Sequence, residues 1–386
     1  MGGPFANKKS LFCIPEEVSY LNCAYMSPLS KKVLAAGHKA MYQKARPYEI
    51  GSSDFFEPVE ELKKEYSKLI GVDNPHRITI IPSASYGFST VTKNLSISAG
   101  QNIVILEEQF PSNVYCWQRL CRDKSLKIRV VSPQETNRGA DWSHRILESI
   151  DSKTAVVAMG IVHWTDGTVF DLKAIRKRTL EVGAKLILDG TQAIGAFPFN
   201  LDSVKPDAMI CAAYKWLMGP YSIGLAYFGA EFDQGVPLEE NWINRIKSDD
   251  FQAQVGYQHE YRPFSTRYDM GEKSNFTLIP MLKTSILQIR SWGVDKIQKY
   301  CESICSEELL KLQSLGFEIE NPSHRSNHLF GIRPPRNFKF NKLRQALQKA
   351  KVFVSFRGNA IRVSPHVYNT IEDMRKLSNC LIQGLP

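Results

Sequence analysis

Residues 185–196 read KLILDGTQAIGA, and residues 207–227 read DAMICAAYKWLMGPYSIGLAY. Each stretch contains an apolar run of strand length, and each run ends at residues that a protein core does not favour. The first run ends at Asp189, and the second ends at Tyr214 and Lys215. Ligands of open α/β sheets bind beyond the carboxyl ends of the strands. The two stretches therefore predict a site in which a carboxylate lies near an amine.

Asp189 and Lys215 together match the needs of one cofactor. A buried lysine amine has a lowered pKa, is nucleophilic and can form a Schiff base with a carbonyl group. An aspartate can keep a pyridinium nitrogen protonated, so the pair suits pyridoxal phosphate (PLP). Taken alone, Asp189 could be a helix cap or a loop acid, and Lys215 could be a surface lysine in a turn. The apolar residues on both sides of Lys215 argue against a surface position.

The bulk composition is that of a globular chain. It has 386 residues, 43% of them hydrophobic and 23% charged, enough for two domains or one large one. No apolar run approaches the roughly 20 residues of a membrane helix, and the basic residues behind the net charge of +10 are dispersed. The eight cysteines lack metal-binding spacing. We therefore expect a cytoplasmic protein with reduced thiols, no metal, and neither a membrane nor a nucleic-acid partner.

Strands and helices alternate on both sides of the opening stretch, which predicts an α/β fold with a parallel sheet covered by helices on both faces. A Gly-Pro turn separates the last strand of this region from the one before it, so that strand can return antiparallel. We count seven strands in a mostly parallel sheet. They are predicted at 78–81, 103–106, 128–131, 155–161, 186–188, 208–213 and 223–228.

The pattern changes after Ala230. Residues 231–275 are polar, aromatic and rich in turn residues, and the later strands and helices have shorter connections. We predict a large PLP-binding domain over 26–275 and a smaller C-terminal α/β domain over 276–386. Residues 1–25 are predicted to pack with the small domain, with a loose tail over residues 1–10 and an extended segment over 18–25. A helix is predicted from Glu57 to Ile70, with Pro58 in its first turn, and a strand is predicted at 352–355.

Three further features could contribute to a PLP site. Residues 83–87, Ser-Ala-Ser-Tyr-Gly, link a strand to a helix, where backbone N–H groups and hydroxyls can bind an anion, although any helix cap has this composition. Phe110 follows the next strand and could stack on a planar ring or simply belong to the core. Arg362, in a late strand, could bind a substrate carboxylate, although most strand arginines face solvent.

Five short motifs, taken in their order along the chain, resemble those of the class V aminotransferase family. They are SASYG, FPSN at 110–113, DGTQ, AAYKWLMGP and IRVSPHVYNT. The family consists of fold-type-I PLP enzymes that include cysteine desulfurases, kynureninases and isopenicillin-N-epimerase-like proteins. The resemblance extends from Tyr20 to Thr370 and implies the fold-type-I architecture.

The resemblance implies a role for each matching residue. Lys215 would be catalytic and carry PLP as an internal aldimine, and the other catalytic residue, Asp189, would pair with the pyridine nitrogen. Arg362 would bind the substrate α-carboxylate, with Asn22 as a second substrate contact. The remaining cofactor contacts would be Ala84, Ser85 and Tyr214 at the phosphate, Phe110 on the ring, Gln192 at the phenolic oxygen or the Schiff base, and Ser274, in a loop directed to the partner subunit's phosphate.

Departures from the family's subgroups narrow the expected reaction. Similar cysteine desulfurases carry a persulfide-forming cysteine on a loop before the arginine, and residues 353–362 contain no cysteine. The chain is thus predicted not to be a cysteine desulfurase but to belong to the kynureninase and isopenicillin-N-epimerase-like branch. It also has Ala212 where desulfurases have a serine, and DGTQ where kynureninases have Asp-Leu-Ala-His.

The expected protein is a homodimeric PLP enzyme that acts on an amino acid, and transamination is the first choice of reaction. A PLP-dependent lyase or epimerase is the alternative. A catalytically silent fold-type-I binding module is a third possibility, against which the intact Lys215 and Asp189 argue. A nucleotide-binding α/β protein would need a Gly-rich phosphate motif after a strand, and the sequence has none.

Overall fold

The computed structural model describes residue 5, residues 8–134 and residues 138–386. The strands in this part are β1 (Ser19–Tyr20), β2 (Ile78–Ile81), β3 (Asn102–Leu106), β4 (Lys127–Val131), β5 (Thr154–Gly160), β6 (Lys185–Asp189), β7 (Ala208–Ala212), β8 (Gly224–Phe228), β9 (Glu318–Ile319), β10 (Phe330–Arg333), β11 (Val352–Phe353), β12 (Ser355–Arg357) and β13 (Ala360–Val363). The helices are α1 (Lys31–Lys44), α2 (Ser52–Ile70), α3 (Ala84–Asn94), α4 (Tyr115–Lys124), α5 (Arg138–Ser149), α6 (Leu172–Val182), α7 (Leu201–Val204), α8 (Leu278–Trp292), α9 (Val294–Ser314), α10 (Phe340–Lys349) and α11 (Ile371–Ile382).

A seven-stranded sheet with the order β2-β8-β7-β6-β5-β3-β4 forms the centre of the molecule. All its strands are parallel except β8, which runs antiparallel to both neighbours. The predicted mostly parallel sheet of seven strands is therefore confirmed, including the antiparallel return of the last strand. Because β6 and β7 are adjacent and parallel, Asp189 and the turn that carries Lys215 emerge at the same edge.

The sheet is buried on both faces, which is why its strands are apolar throughout rather than alternating. Helices α2, α5, α6 and α8 cover one face, and helices α3 and α4 cover the other. Successive strand residues thus enter different cores. Val157, Leu186, Leu188 and Met209 belong to the first core, and Val156, Ile187, Ala208 and Ile210 belong to the second.

A second, antiparallel sheet has the order β12-β13-β10-β9 and packs against α9, α10 and α11. The single strand predicted near 352–355 divides at Val354. Its first part, β11, pairs in parallel with β1 from the N-terminal segment, and its second part, β12, pairs with β13. The extended segment predicted over residues 18–25 contains only the two-residue strand β1.

Two local expectations were wrong. Helix α2 begins at Ser52 instead of Glu57, because the Asp54 carboxylate accepts the Gly51 N–H at 2.8 Å and caps an earlier turn, which puts Pro58 inside the helix. The predicted loose tail includes Phe5, which is buried against Trp292 and Tyr300, whereas residues 1–4 and 6–7 lie outside the described residues. Of the described helices, none has the length and apolar character needed to span a membrane.

Candidate active site

A cavity of about 280 Å³ lies at the carboxyl edge of the large sheet. Strands β6 and β7 contribute its floor, and the segments that follow β2, β3 and β5 contribute its walls. The structure brings seven of the predicted cofactor residues to this cavity. They are Ala84, Ser85, Phe110, Asp189, Gln192, Tyr214 and Lys215.

The Lys215 amine projects into a largely apolar environment. The side chain is buried, and its Nζ lies 5.1 Å from the centre of the Phe110 ring and 5.5 Å from that of Tyr214. Burial lowers the pKa of Lys215 to about 8, although the nearby Asp189 charge raises it. No carboxylate of the described residues lies within 4.0 Å of the amine. A neutral, nucleophilic amine is therefore accessible near physiological pH.

Asp189 is positioned by its own strand end. The Thr191 backbone N–H donates to Asp189 Oδ1 at 2.9 Å, and Thr191 Oγ1 accepts the Ala212 N–H at 3.1 Å, which ties the ends of β6 and β7 together. Burial raises the pKa of the Asp189 carboxyl, and its Thr191 hydrogen bonds and the Lys215 charge oppose that shift. Among the described residues the carboxylate has no cation within 4.0 Å. Such a group suits a cationic ligand such as a pyridinium nitrogen.

The start of helix α3 offers an anion site. Ser83 is the N-cap, and its Oγ accepts the Tyr86 N–H at 3.2 Å and lies 3.0 Å from Ser85 Oγ. The N–H groups of Ala84 and Ser85, which open the first turn, have no hydrogen-bond partner among the described residues and are free to bind phosphate. A Cβ at Gly87 would lie 2.7 Å from Ile210 Cγ2, so the glycine lets the helix pack directly on β7. These donors, with the amine and the carboxylate, fit PLP.

Gln192 and Tyr214 are held by contacts within the chain. The Gln192 amide donates to the Ala24 carbonyl at 3.2 Å and accepts from Trp216 Nε1 at 2.8 Å. The Tyr214 ring packs 4.7 Å from the Tyr221 ring, and burial raises its pKa to about 12. Both line the cavity, but the Gln192 amide already has a partner at each end.

The structure links Arg362 to Asn22 through Ser355, and Arg362 lies beside Trp164. Arg362 is only 1% exposed; its Nη1 donates to the Trp164 carbonyl at 3.0 Å, and its Nη2 lies 3.5 Å from Ser355 Oγ. Ser355 Oγ in turn donates to Asn22 Oδ1 at 2.8 Å. Neither Arg362 nor Asn22 lines the cavity itself, but Trp164 does, and its ring meets the Phe110 ring edge-on at 5.4 Å.

Two close backbone contacts fix the Trp164 segment against the smaller sheet. Gly167 has φ +78°, and a Cβ there would lie 1.8 Å from the Leu329 carbonyl oxygen. The Gly331 N–H, from β10, donates to the Asp166 carbonyl at 2.9 Å. The Asp166 side chain accepts from Arg333 at 2.8 Å. The smaller sheet thus docks on the loop after β5, which places Trp164 between the cavity and Arg362.

Ser274 is the one predicted cofactor residue that is not brought to the cavity. Its hydroxyl donates to the Phe55 carbonyl, away from Lys215. Trp164 and Thr191 also belong to the site, although the sequence motifs predict no role for either residue. Thr191 could have been found from its place inside DGTQ, directly after a strand-end acid. Trp164 follows the carboxyl end of β5, the edge at which ligands of such sheets bind, and that position was a usable signal.

Comparison with known proteins points to one family. The aminotransferase class-V family model matches residues 20–377. An uncharacterized aminotransferase of Bacillus subtilis strain 168, YcbU, is 24% identical over 324 residues, 83% of this chain and 82% of that protein. A cysteine desulfurase of Salmonella newport strain SL254 is 26% identical over 64% of this chain and 60% of that protein.

The fold likewise resembles solved PLP enzymes. A lysine-to-alanine mutant of C-DES, with glycine covalently linked to the PLP cofactor, superposes with a TM-score of 0.85. It shares 15% sequence identity, and the match covers 97% of this chain and 98% of that one. At this identity the likeness concerns the fold alone, and it confirms the predicted fold-type-I architecture.

Proposed function

The chain belongs to the class V aminotransferase family, and from that premise we propose that it transfers an amino group between an amino acid and a 2-oxo acid. It is a PLP-dependent enzyme that acts on an amino acid. One observation carries the proposal. The Lys215 amine and the Asp189 carboxylate, neither of which has an ion pair among the described residues, share one cavity with the N-terminus of α3.

We assign the cofactor contacts to residues of this cavity. The N–H groups of Ala84 and Ser85 bind the phosphate, and Phe110 covers one face of the ring. Asp189 keeps the pyridine nitrogen protonated, while Gln192 and Tyr214 complete the contacts. When bound, PLP withdraws electrons from the substrate Cα and so acidifies its proton.

The proton and the substrate are handled by Lys215 and Arg362. Lys215 Nζ, with its pKa lowered to about 8, is poised near neutrality to take the Cα proton and return it. The buried Arg362 guanidinium binds the α-carboxylate, which fixes the Cα–H bond relative to the amine. Phe110 and Trp164, in edge contact, limit the access of water.

The absence of a thiol favours transamination over sulfur transfer. The described residues that line the cavity include no cysteine, and the β12–β13 hairpin turns through Gly358 and Asn359 without one. Cys211 lies buried beneath the cavity, and burial raises the pKa of its thiol. Persulfide formation would therefore lack an accessible thiolate.

The test has two steps. Purified protein incubated with PLP should acquire the visible absorbance of a lysine-linked cofactor and a borohydride-stable adduct, and Lys215→Ala should lose both. The loaded protein is then mixed with candidate amino acids without a 2-oxo acid. Transamination gives one equivalent of 2-oxo acid product per site and then stops until an acceptor is added. Failure to bind PLP would refute the proposal, and sustained release of ammonia would assign elimination instead.

We propose that the active form is a homodimer. Phe55, Phe56, Trp242, Phe251 and Phe276 form one group of mutually contacting rings, and 43% of Trp242 and 42% of Phe251 are exposed. Ser274, next to Phe276, is predicted to reach the partner subunit's phosphate. Light scattering should give twice the chain mass, and Trp242→Asp should give monomers; a wild-type monomer would refute this.

The division at residues 25 and 275 and the cytoplasmic location are also proposals. All eight cysteines are free, six of them buried, which suits a reducing compartment. Cell fractionation would test the location. Limited proteolysis that releases stable fragments near residue 275 would support the division.

A further inference from the structure

We propose that Arg357 and Arg362 together form a site for a substrate with two anionic groups, so that the preferred amino acid carries an anion on its side chain. In this proposal Arg362 binds the α-carboxylate and Arg357 selects the second anion. The inference rests on the proposed function, because it concerns the substrate of the same site.

The register of the β12–β13 hairpin places the two arginines side by side. Ser355 pairs with Arg362, and Arg357 pairs with Ala360 across the two-residue turn. Because side chains alternate along a strand, the side chains of Ser355, Arg357 and Arg362 project from the same face. Arg357 and Arg362 are therefore diagonal neighbours, a spacing that long side chains can bridge.

Both guanidinium groups meet the same wall of the cavity. The Arg357 Cζ lies 5.2 Å from the centre of the Trp164 ring, and the Arg362 Cζ lies 5.9 Å from it. Trp164 itself lines the cavity that contains Lys215. The positive charges of Arg362 and Arg357 also act on the amine in the cavity, because both lower the pKa of Lys215.

In the part of the chain that the structure describes, neither of the two cations has a counterion. Arg357 donates only to the carbonyl of its neighbour Phe356, and Arg362 donates to a carbonyl and approaches a hydroxyl. The Nε atom of each is buried without a hydrogen-bond partner. No carboxylate of the described residues lies within 4.0 Å of either. Two neighbouring, partly desolvated cations repel each other, and an anion brought by a ligand would relieve that repulsion.

Nearby acids cannot serve, because they are already engaged. The Asp166 carboxylate is shared between Arg138 and Arg333, each at 2.8 Å. The Glu108 carboxylate accepts from Arg138 at 2.9 Å. The wall around Trp164 thus contains two arginines neutralised by protein acids and two that are not.

One carboxylate needs only one of the two arginines. A single guanidinium binds a carboxylate through two parallel N–H···O bonds. A neutral amino acid would leave Arg357 unpaired, whereas a dicarboxylic amino acid, or one with a sulfinate or phosphate on its side chain, would pair both cations. The geometry therefore favours substrates of the aspartate and glutamate type.

The test compares matched ligands on PLP-loaded protein. L-Aspartate and L-asparagine, and L-glutamate and L-glutamine, differ mainly in the second charge, and the dissociation constant of each is read from the spectral shift of the bound cofactor. We expect at least one acid to bind about ten- to a hundredfold more tightly than its amide. Arg357→Gln should abolish that preference and Arg357→Lys should restore part of it. The matched control is Arg344→Gln, an exposed arginine that stacks on Phe356 at 5.5 Å and should change nothing.

Each other outcome has a distinct meaning. Failure of the wild type to take up PLP would refute the proposed function rather than this inference. If PLP binds but acids and amides bind equally, the second-anion site is wrong. If Arg357→Gln weakens acid and amide by the same factor, both arginines bind the α-carboxylate, and the inference is again wrong. Cysteine sulfinate and O-phosphoserine, tested alongside, identify which anion is preferred.

Discussion

Two regions of the described chain bury charged side chains, and they differ in whether those charges form ion pairs within the protein. In the first, which we call the Asp269 cluster (Lys63, Asp269 and Lys273), Asp269 Oδ2 accepts from Lys63 Nζ at 2.7 Å and from Lys273 Nζ at 2.8 Å. Asp269 Oδ1 accepts the Ile80 N–H at 2.7 Å. In the second, the candidate active site, the carboxylate and the cations have no ion pair with the described residues.

The contrast separates structural from functional charges. The Asp269 cluster joins α2, β2 and the segment before α8, and each of its members is at most 1% exposed. Mutual pairing makes such burial tolerable, and losing one partner is costly. In the active site, Asp189, Lys215 and Arg362 are buried without ion pairs to described residues, so their burial reduces the stability of the free protein. A ligand that pairs with these charges would remove that cost.

Asp269→Asn should have the largest effect on stability. It removes the anion that both buried lysines contact, so we expect a loss of about 3–5 kcal/mol in the free energy of unfolding. Urea denaturation of the cofactor-free protein measures it. A change below about 1 kcal/mol, the level of an exposed pair, would mean that the cluster is not structural.

The same substitution in the active site, Asp189→Asn, should act on turnover instead. An amide cannot keep the pyridine nitrogen protonated, and removing one preorganised charge from an active site typically costs about 10²–10³ in kcat. The stability of the cofactor-free protein should change much less than in Asp269→Asn, because no cation of the described residues forms an ion pair with this carboxylate. A loss of stability similar to that of Asp269→Asn would remove the distinction between the two regions.

The parts of the site that sequence could predict are those that depend on local pattern. Asp189 and Lys215 stand at the ends of short apolar runs that are bounded by turn residues, a local pattern that favours a buried strand. Their meeting follows from β6 and β7 being adjacent and parallel. The start of α3 is equally local, because Ser83 caps the helix that it begins.

The parts that sequence could not predict depend on contacts between distant segments. Trp164 meets Arg362 only because the smaller sheet docks on the loop after β5, through Gly167 and Gly331. The Gln192 amide donates a hydrogen bond to the Ala24 carbonyl in the N-terminal segment. No sequence pattern near Gln192 predicts this contact. The start of α2 was predicted wrongly for the opposite reason. Proline is common in the first turn of a helix, so Pro58 predicted a start near Glu57, but the cap formed by Asp54 starts the helix at Ser52.

The pH dependence of stability would test whether the Lys215 amine is buried without an ion pair, in contrast to the lysines of the Asp269 cluster. The folded-state pKa of Lys215 is about 8, below the value of about 10.4 for an unfolded chain. Below pH 8 the Lys215 amine is protonated in both the folded and the unfolded protein, so the full cost of burying its charge is present. Between these values the unfolded state binds more protons, so stability should rise with pH by up to about 1.4 kcal/mol per unit.

Tyrosines titrate in the same range, so the quantity to measure is the difference between the wild type and Lys215→Met. Both proteins are unfolded in urea, without cofactor, at several pH values from 7 to 10, in steps of about one unit. The wild type should be the less stable at pH 7 and should gain on the variant above pH 8. A difference that stays constant with pH would mean that the amine is not buried uncharged.

The smallest expected effect concerns Thr191, the neutral link between the two active-site charges. Its Oγ1 accepts the Ala212 N–H, so Thr191→Val leaves a buried amide without a partner and should cost about 1–3 kcal/mol of stability. The backbone bond from Thr191 to Asp189 is retained in this variant. Turnover should therefore fall only through the altered spacing of the two strand ends.

Thr191→Ser is the matched control, because serine keeps the hydroxyl and removes only the methyl group. It should recover most of the stability and the wild-type kcat. If Thr191→Ser fails as badly as Thr191→Val, the methyl packing rather than the hydrogen bond joins β6 to β7. If neither variant has an effect, the alignment of Asp189 with Lys215 is set by the sheet ladder alone, and the active-site charges need no support beyond their strands.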